Sequence, residues 1–322
     1  MLEDLARFVL NDPDLTLRLK DMRHQLLTTD FEFQQQLLQA RDSAGDVGAS
    51  IEEKRERDLP TTVVANARRV QEALRVLEEL AKDTGLDSKG FKQARFNLYE
   101  LEQRLLSRLL RQDKRQRLSG VYVIIDTQAL RGRSHVEAAR QAIRGGATAV
   151  QLRDKLSTKR ELLPVAQQLK SLCAENNVLF IINDHLDLAL ASDADGLHLG
   201  QDDLPIRVAR KLLATDKLLG CSTRTVEQAI AAEREGADYV AVGSIYPTPS
   251  KETAVAVGLE RLRQVRQAVS LPVVAIGGIT RDNAAEVIAA GASSIAVISA
   301  VLHAEDIEKA TRELAAKVEA KQ

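Results

Sequence analysis

The sequence predicts an α/β protein: a (β/α)8 barrel over residues 117–322, preceded by an all-α domain over residues 1–116. Three observations lead there. After Gly120, eight short runs rich in β-branched residues alternate with helix-length stretches, the grammar of repeated βα units. Eight such units fit within roughly 200 residues, where an open parallel sheet usually stops at five or six strands. A doubly wound sheet is the alternative. Before Gln116 the apolar residues recur at three- and four-residue spacing and no convincing strand occurs.

In chain order, the helical part contains "ANARRVQEALRVLEELAKDTG" and "FKQARFNLYELEQRLLSRLLRQ", both with the stripe of an amphipathic helix. An internal echo links its two ends. "LEDLARF" at Leu2 is answered by "LEELAKD" at Leu77, each followed by a capping-type Asp and a further amphipathic helix, although the first copy lacks the upstream helix of the second. The basic run "RQDKRQR" closing this part reads as a solvated linker.

The eight strands read as "VYVIID", "ATAVQLR", "VLFIIND", "GLHLG", "LLGCS", "YVAVGSI", "VVAIGG" and "SIAVIS". In a barrel the working groups sit at the carboxyl ends of strands. The second strand ends in "QLRDK", where Gln151, Arg153 and Lys155 alternate and therefore face one way, an amide and two cations suited to an anion. An inward Arg paired to an acidic neighbour is the structural alternative. The third strand ends in "IINDH" and the fourth in "HLGQDD". Asp184 and Asp203 thus lie at adjacent strand ends, as a Mg²⁺ site of one or two carboxylates completed by phosphate requires. Helix capping by Asp184 and by Asp202 or Asp203 is the competing reading. His185 and His198 read as packing or solvent-facing residues. "AVGSIYPTPSK" opens an apolar strand onto hydroxyls and a cation, again an anion-holding set. Gly277 and Gly278 in "AIGGIT", with the backbone at Ile298 and Ser299, form a second anion site where these barrels usually seat phosphate.

Composition narrows the function classes. With 45 basic and 46 acidic residues the formal net charge is −1, so no whole-chain field favours nucleic acid or an anionic membrane. Cys173 and Cys221 form no metal-like or redox pair, which fits a reducing compartment without disulfides. No signal-peptide pattern occurs at "MLEDLARFVLNDPDLT", and no apolar run approaches the roughly 20 residues of a membrane helix. The expectation is a cytoplasmic protein acting on small molecules.

Taken together, "QLRDK", "NDH", "GLHLGQDDLP", "GSIYPTPSK" and "AIGGI" resemble the thiamine-phosphate synthase family over the whole barrel. The resemblance implies a transferase that joins a hydroxymethylpyrimidine diphosphate to a thiazole phosphate and releases pyrophosphate. It puts pyrimidine-diphosphate contacts on Gln151, Arg153, Lys155, Asn183, Ser222 and Lys251, with Leu152 and Asp154 in the same segment, and Mg²⁺ on Asp184 and Asp203. It puts thiazole-phosphate contacts on Thr248, Pro249, Ser250, Gly278, Ile298 and Ser299. Arg153, Lys155, Lys251 and Ser222 carry the catalytic expectation. This sequence departs from the family pattern at Ser244 (often proline), Ser250 (usually threonine) and Arg224 (commonly histidine). Two other readings are a thiazole tautomerase, which needs neither the full diphosphate set nor the metal, and a non-catalytic ligand sensor with the helical part as output. The helical part carries no chemical motif; a homodimer formed through it and a plain stabilising role are both open.

Overall fold

The computed structural model describes residues 1–26, 35, 58–84, 87–248 and 256–319. The chain divides into two compact units, Met1–Leu110 and Arg111–Gln322. This division falls six residues before the end of the helix Ser88–Gln116, where the sequence reading sets its boundary.

The first unit is helical among its described residues. Leu2–Val9 forms a short helix with a π-type turn, followed by Pro13–Leu26, Leu59–Thr84 and the start of Ser88–Gln116. Both echoed aspartates cap as expected: Asp12 Oδ1 accepts from Leu15 N at 3.1 Å and Asp87 Oδ1 from Gly90 N at 3.0 Å. Leu5, Leu15, Leu19, Val63, Leu101 and Leu105 supply its main core.

The second unit is a closed, all-parallel barrel in the order β1 to β8. Its strands are β1 Gly120–Asp126, β2 Ala147–Arg153, β3 Leu179–Asn183, β4 Gly196–Leu199, β5 Leu218–Thr223, β6 Tyr239–Gly243, β7 Val273–Ile276 and β8 Ser294–Val297. Closure excludes the doubly wound alternative and leaves no sheet edge. Outward residues such as Val123, Val150, Phe180 and Val240 join the helices in one core, while Tyr122, Ile124, Leu179, Ile181, Leu218 and Tyr239 fill the barrel. Local signals set the helices: Thr158 with Glu161 and Thr225 with Gln228 form complete capping boxes. Among the described residues no helix is long and apolar enough to cross a membrane.

The opposite end of the barrel from the strand carboxyl termini is closed by buried charge. Asp238 Oδ1 accepts from Arg111 Nε at 2.7 Å, and its Oδ2 accepts from Arg210 at 3.1 Å and from Leu219 N at 2.9 Å. Lys114 bonds the Asp216 carboxylate at 3.0 Å. Residues read as a solvated linker therefore do structural work in the barrel unit, and burial explains why: Arg111 is only 6% exposed.

Candidate active site

The carboxyl ends of the strands open into a cavity of about 770 Å³. Period-two alternation decides which expected residues reach it. Gln151, Arg153 and Lys155 line it, as do Asn183, Asp184, Asp203, Ser222, Thr248, Gly278, Ile298 and Ser299. Leu152 and Asp154, expected from the same segment, do not line it. Leu152 points outward into the layer between strands and helices. Asp154 is consumed by its own loop, accepting from Leu156 N and Ser157 N at 2.7 Å each, Ser157 Oγ at 2.9 Å and Thr127 Oγ1 at 2.5 Å. Burial pushes this carboxyl up, but the hydrogen bonds outweigh it and hold it down at about 2. Pro249, Ser250 and Lys251 lie outside the described residues.

Arg153 is paired with Asp126, so the alternative of an inward Arg with an acidic neighbour is realised while the guanidinium still faces the cavity. Asp126 also caps the helix Thr127–Leu130, accepting from Gln128 N at 3.0 Å and Ala129 N at 3.1 Å. That double engagement anchors the arginine at the rim. Lys155 Nζ stands 3.8 Å from Asp184 Oδ2 and remains more than half exposed.

Neither metal candidate acts as a helix cap. The helix Leu186–Ala191 begins at His185 without a side-chain cap, and Ile206–Leu212 begins at Pro205, also without one. Asp203 Oδ2 instead accepts from Gly200 N at 2.7 Å, which folds the β4 loop back so that this carboxylate meets Asp184. Burial pushes the Asp184 carboxyl up, and the hydrogen bond and charge of Asp203 push it further the same way. Two carboxylates so close call for either a shared proton or a cation.

Across the cavity, the β6 and β7 loops are laced together. Ile245 N donates to Ile276 O at 2.9 Å and Tyr246 N to Gly277 O at 3.0 Å, while Ser244 Oγ donates to Tyr246 O at 2.6 Å. Gly277 makes this approach feasible: its φ is 99°, and a Cβ there would lie 2.0 Å from Ser244 Oγ and 2.6 Å from Ser244 Cα. Asn283 Nδ2 bonds Gly278 O at 3.0 Å and holds the far side of that loop. The short helix Ser299–Leu302 begins at the same cavity, which Ile298 and Ser299 line.

The cavity floor holds what sequence reading missed. His198, read as packing or solvent-facing, is buried inside the barrel with Nε2 2.9 Å from Ser222 Oγ and Nδ1 3.1 Å from Tyr239 Oη. Tyr239 Oη is 3.1 Å from Tyr122 Oη, which accepts from Gln151 Nε2 at 2.7 Å. His198, Gly220 and Tyr239 are register partners on β4, β5 and β6. Without a side chain at Gly220, where a Cβ would lie 2.1 Å from the Tyr239 ring, the two rings stack across the gap at 5.5 Å. Burial pushes His198 down to about 4, so the imidazole is neutral, and raises both tyrosines. The alternation of inward positions, with Tyr122, Ile124 and Asp126 on one face of β1, was the signal available for these residues.

Comparison with known proteins decides the family. The model described as thiamine monophosphate synthase matches residues 121–301, and that of the ThiD2 family matches residues 1–104. The thiamine-phosphate synthase of Thermosynechococcus vestitus is 41% identical over 318 residues, 98% of this chain and 89% of that protein. This chain belongs to the thiamine monophosphate synthase family. The thiamine-phosphate synthase of Natronomonas pharaonis is 52% identical over 203 residues, 62% of this chain and 95% of that protein. The solved thiamine phosphate pyrophosphorylase from Pyrococcus furiosus is 45% identical with a TM-score of 0.60, covering 64% of this chain and 98% of that one. The two matches fall one in each compact unit.

Proposed function

We propose that this member of the thiamine monophosphate synthase family is a thiamine-phosphate synthase, a transferase that joins 4-amino-2-methyl-5-hydroxymethylpyrimidine diphosphate to 4-methyl-5-(2-phosphoethyl)thiazole. The observation that carries the reading is one cavity with two unlike ends: Arg153 and Lys155 beside the Asp184–Asp203 pair, and the laced β6–β7 loops with Ile298 and Ser299 opposite. The C–O bond from the pyrimidine methylene to diphosphate breaks with its electron pair leaving on pyrophosphate. The thiazole nitrogen lone pair then forms the C–N bond, and the positive charge ends on the thiazolium. No protein nucleophile and no net proton transfer are needed.

The protein's task in this reading is to favour charge growing on the leaving group and to align the two rings. Arg153, fixed by Asp126, and Lys155 face that charge, and the family resemblance assigns Lys251 the same role. Gln151, Asn183 and Ser222 hold the pyrimidine; Thr248, Ser250, Gly278, Ile298 and Ser299 hold the thiazole phosphate. Among the described residues no three acidic, His or Cys side chains gather as a metal cage. Asp184 and Asp203 nonetheless fit Mg²⁺, which characteristically takes one or two carboxylates and completes its shell with phosphate oxygens and water. When bound, the ion would supply positive charge at the leaving diphosphate. The first unit takes no part in the chemistry and serves self-association or stability, and Cys173 and Cys221, buried free thiols, suit a reducing cytoplasm.

The test is turnover of both phosphorylated substrates by the full chain with Mg²⁺, read as thiamine phosphate and pyrophosphate formed in equal amounts. Absence of coupled product with both substrates saturating would overturn the proposal.

A further inference from the structure

The buried polar chain beneath the cavity has a direction. Gln151 Nε2 donates to Tyr122 Oη at 2.7 Å, so the single Tyr122 proton is free for Tyr239 Oη, 3.1 Å away. Having accepted there, Tyr239 has its own proton for His198 Nδ1 at 3.1 Å. A neutral imidazole carries one N–H; with Nδ1 accepting, that N–H is at Nε2 and donates to Ser222 Oγ at 2.9 Å. The Ser222 hydroxyl, already accepting, has its proton left for the cavity it lines.

We propose that Tyr122, Tyr239 and His198 are positioning residues that form a one-way hydrogen-bond relay from Gln151 to Ser222, presenting the Ser222 hydroxyl as a donor to a ring nitrogen of the aminopyrimidine. The two ends then read the substrate with opposite polarity. With its amide nitrogen engaged by Tyr122, Gln151 offers its carbonyl oxygen to an exocyclic amino group, while Ser222 offers O–H to a ring nitrogen lacking a proton. A pyrimidine carrying a carbonyl and ring N–H in place of the amino group and bare nitrogen would meet a donor opposite a donor and an acceptor opposite an acceptor. The relay also leaves the floor uncharged, so no cation lies beneath the methylene carbon as positive charge grows on it. The substrate assignment rests on the proposed function; the direction of the relay does not.

Three features support a built device over incidental packing. The relay spans five side chains, one from each of the strands β1, β2, β4, β5 and β6, which meet only on closure of the barrel. Gly220 gives up its side chain so that the His198 and Tyr239 rings can approach. Gln201 Nε2 donates to Ser222 O at 2.6 Å and secures the backbone at the relay's end.

The experiment is ¹⁵N NMR of the full chain labelled at histidine, without substrates, with the His198 signals assigned by their loss in His198→Gln. The expected result is the Nε2–H tautomer in the wild type. In Tyr239→Phe, which preserves the ring and removes only the hydroxyl, that preference should be lost, and the KM for the pyrimidine diphosphate should rise about three- to tenfold, with the KM for the thiazole phosphate unchanged. An Nδ1–H tautomer in the wild type overturns the relay's direction whatever Tyr239→Phe and Tyr122→Phe show. Unchanged tautomer and pyrimidine KM in both Tyr239→Phe and Tyr122→Phe overturn its role. A chain with the Nε2–H tautomer but no turnover of either substrate would retain the relay and remove the proposed function, so the two failures are distinguishable.

Discussion

Replacing Gly277 with alanine isolates what the junction between the β6 and β7 loops requires. Two costs arise. The φ of 99° lies where L-residues are strained, worth about 1–3 kcal/mol. The added Cβ would also meet Ser244 at 2.0 Å from Oγ and 2.6 Å from Cα. Rotation of the hydroxyl relieves only the first contact, and it sacrifices the 2.6 Å bond to Tyr246 O; the second is with backbone, so the β6 loop itself must move. Overpacking of this kind costs about 1–3 kcal/mol more. Gly132→Ala supplies the control, because Gly132 has a φ of 85° with nothing within 4 Å of its would-be Cβ. Denaturant unfolding of both variants should show Gly277→Ala less stable than Gly132→Ala by about 1–3 kcal/mol. On the proposed function, its KM for the thiazole phosphate should rise more than its KM for the pyrimidine diphosphate, because the displaced loop lines the end which that reading gives to the thiazole phosphate. Equal stability of the two alanine variants, with an unchanged thiazole-phosphate KM, would refute the close-approach reasoning.

Asp184→Asn should lower turnover by about 10²–10³ and shift the Mg²⁺ titration to higher concentration while the melting curve stays cooperative; wild-type turnover across a Mg²⁺ titration would remove Asp184 as a ligand. Arg111→Met leaves Asp238 with only Arg210 and Leu219 N as partners and should cost about 2–4 kcal/mol, seen as a lower Tm with kcat preserved. For the same reason a chain beginning at Arg117 should melt below one beginning at Arg111, with both turning over; loss of turnover by both folded chains would place the first unit in the active site. The stability that Asp154 contributes over Asp154→Asn should be constant above its ordinary value of 3.8 and disappear as pH falls toward about 2, because its folded-state pKa is depressed. A Tm difference that instead persists unchanged through that window would show that its carboxylate bonds are not the cause.

Much of the site was legible because a parallel barrel translates sequence position into spatial position. Once the strands were recognised, their carboxyl ends had to converge, so Arg153, Lys155, Asp184, Asp203, Ser222 and Gly278 could be gathered from segments far apart in the chain. The period-two rule that aligned Gln151 with Arg153 also turned the side chains of Leu152 and Asp154 away from the cavity. His198 illustrates the opposite difficulty. A histidine on an apolar strand has no local signature of its role, since its partners Tyr239 and Ser222 come from β6 and β5. Asp126 was missed likewise: its value lies in meeting Arg153 from the adjacent strand.

The sequence by itself determined the βα alternation, the eight strands, the capped helices and the family pattern at the strand ends. These depend on periodicity and on residue types acting within a few positions of one another. Only the tertiary structure decided that Asp184 and Asp203 meet instead of capping helices, that Gly277 and Gly220 are spaces filled by Ser244 and Tyr239, and that Arg111 belongs to the barrel. Each depends on atoms brought together by closure of the sheet, and their burial there makes an unpaired charge or an added methyl group costly where on an exposed strand it would matter little.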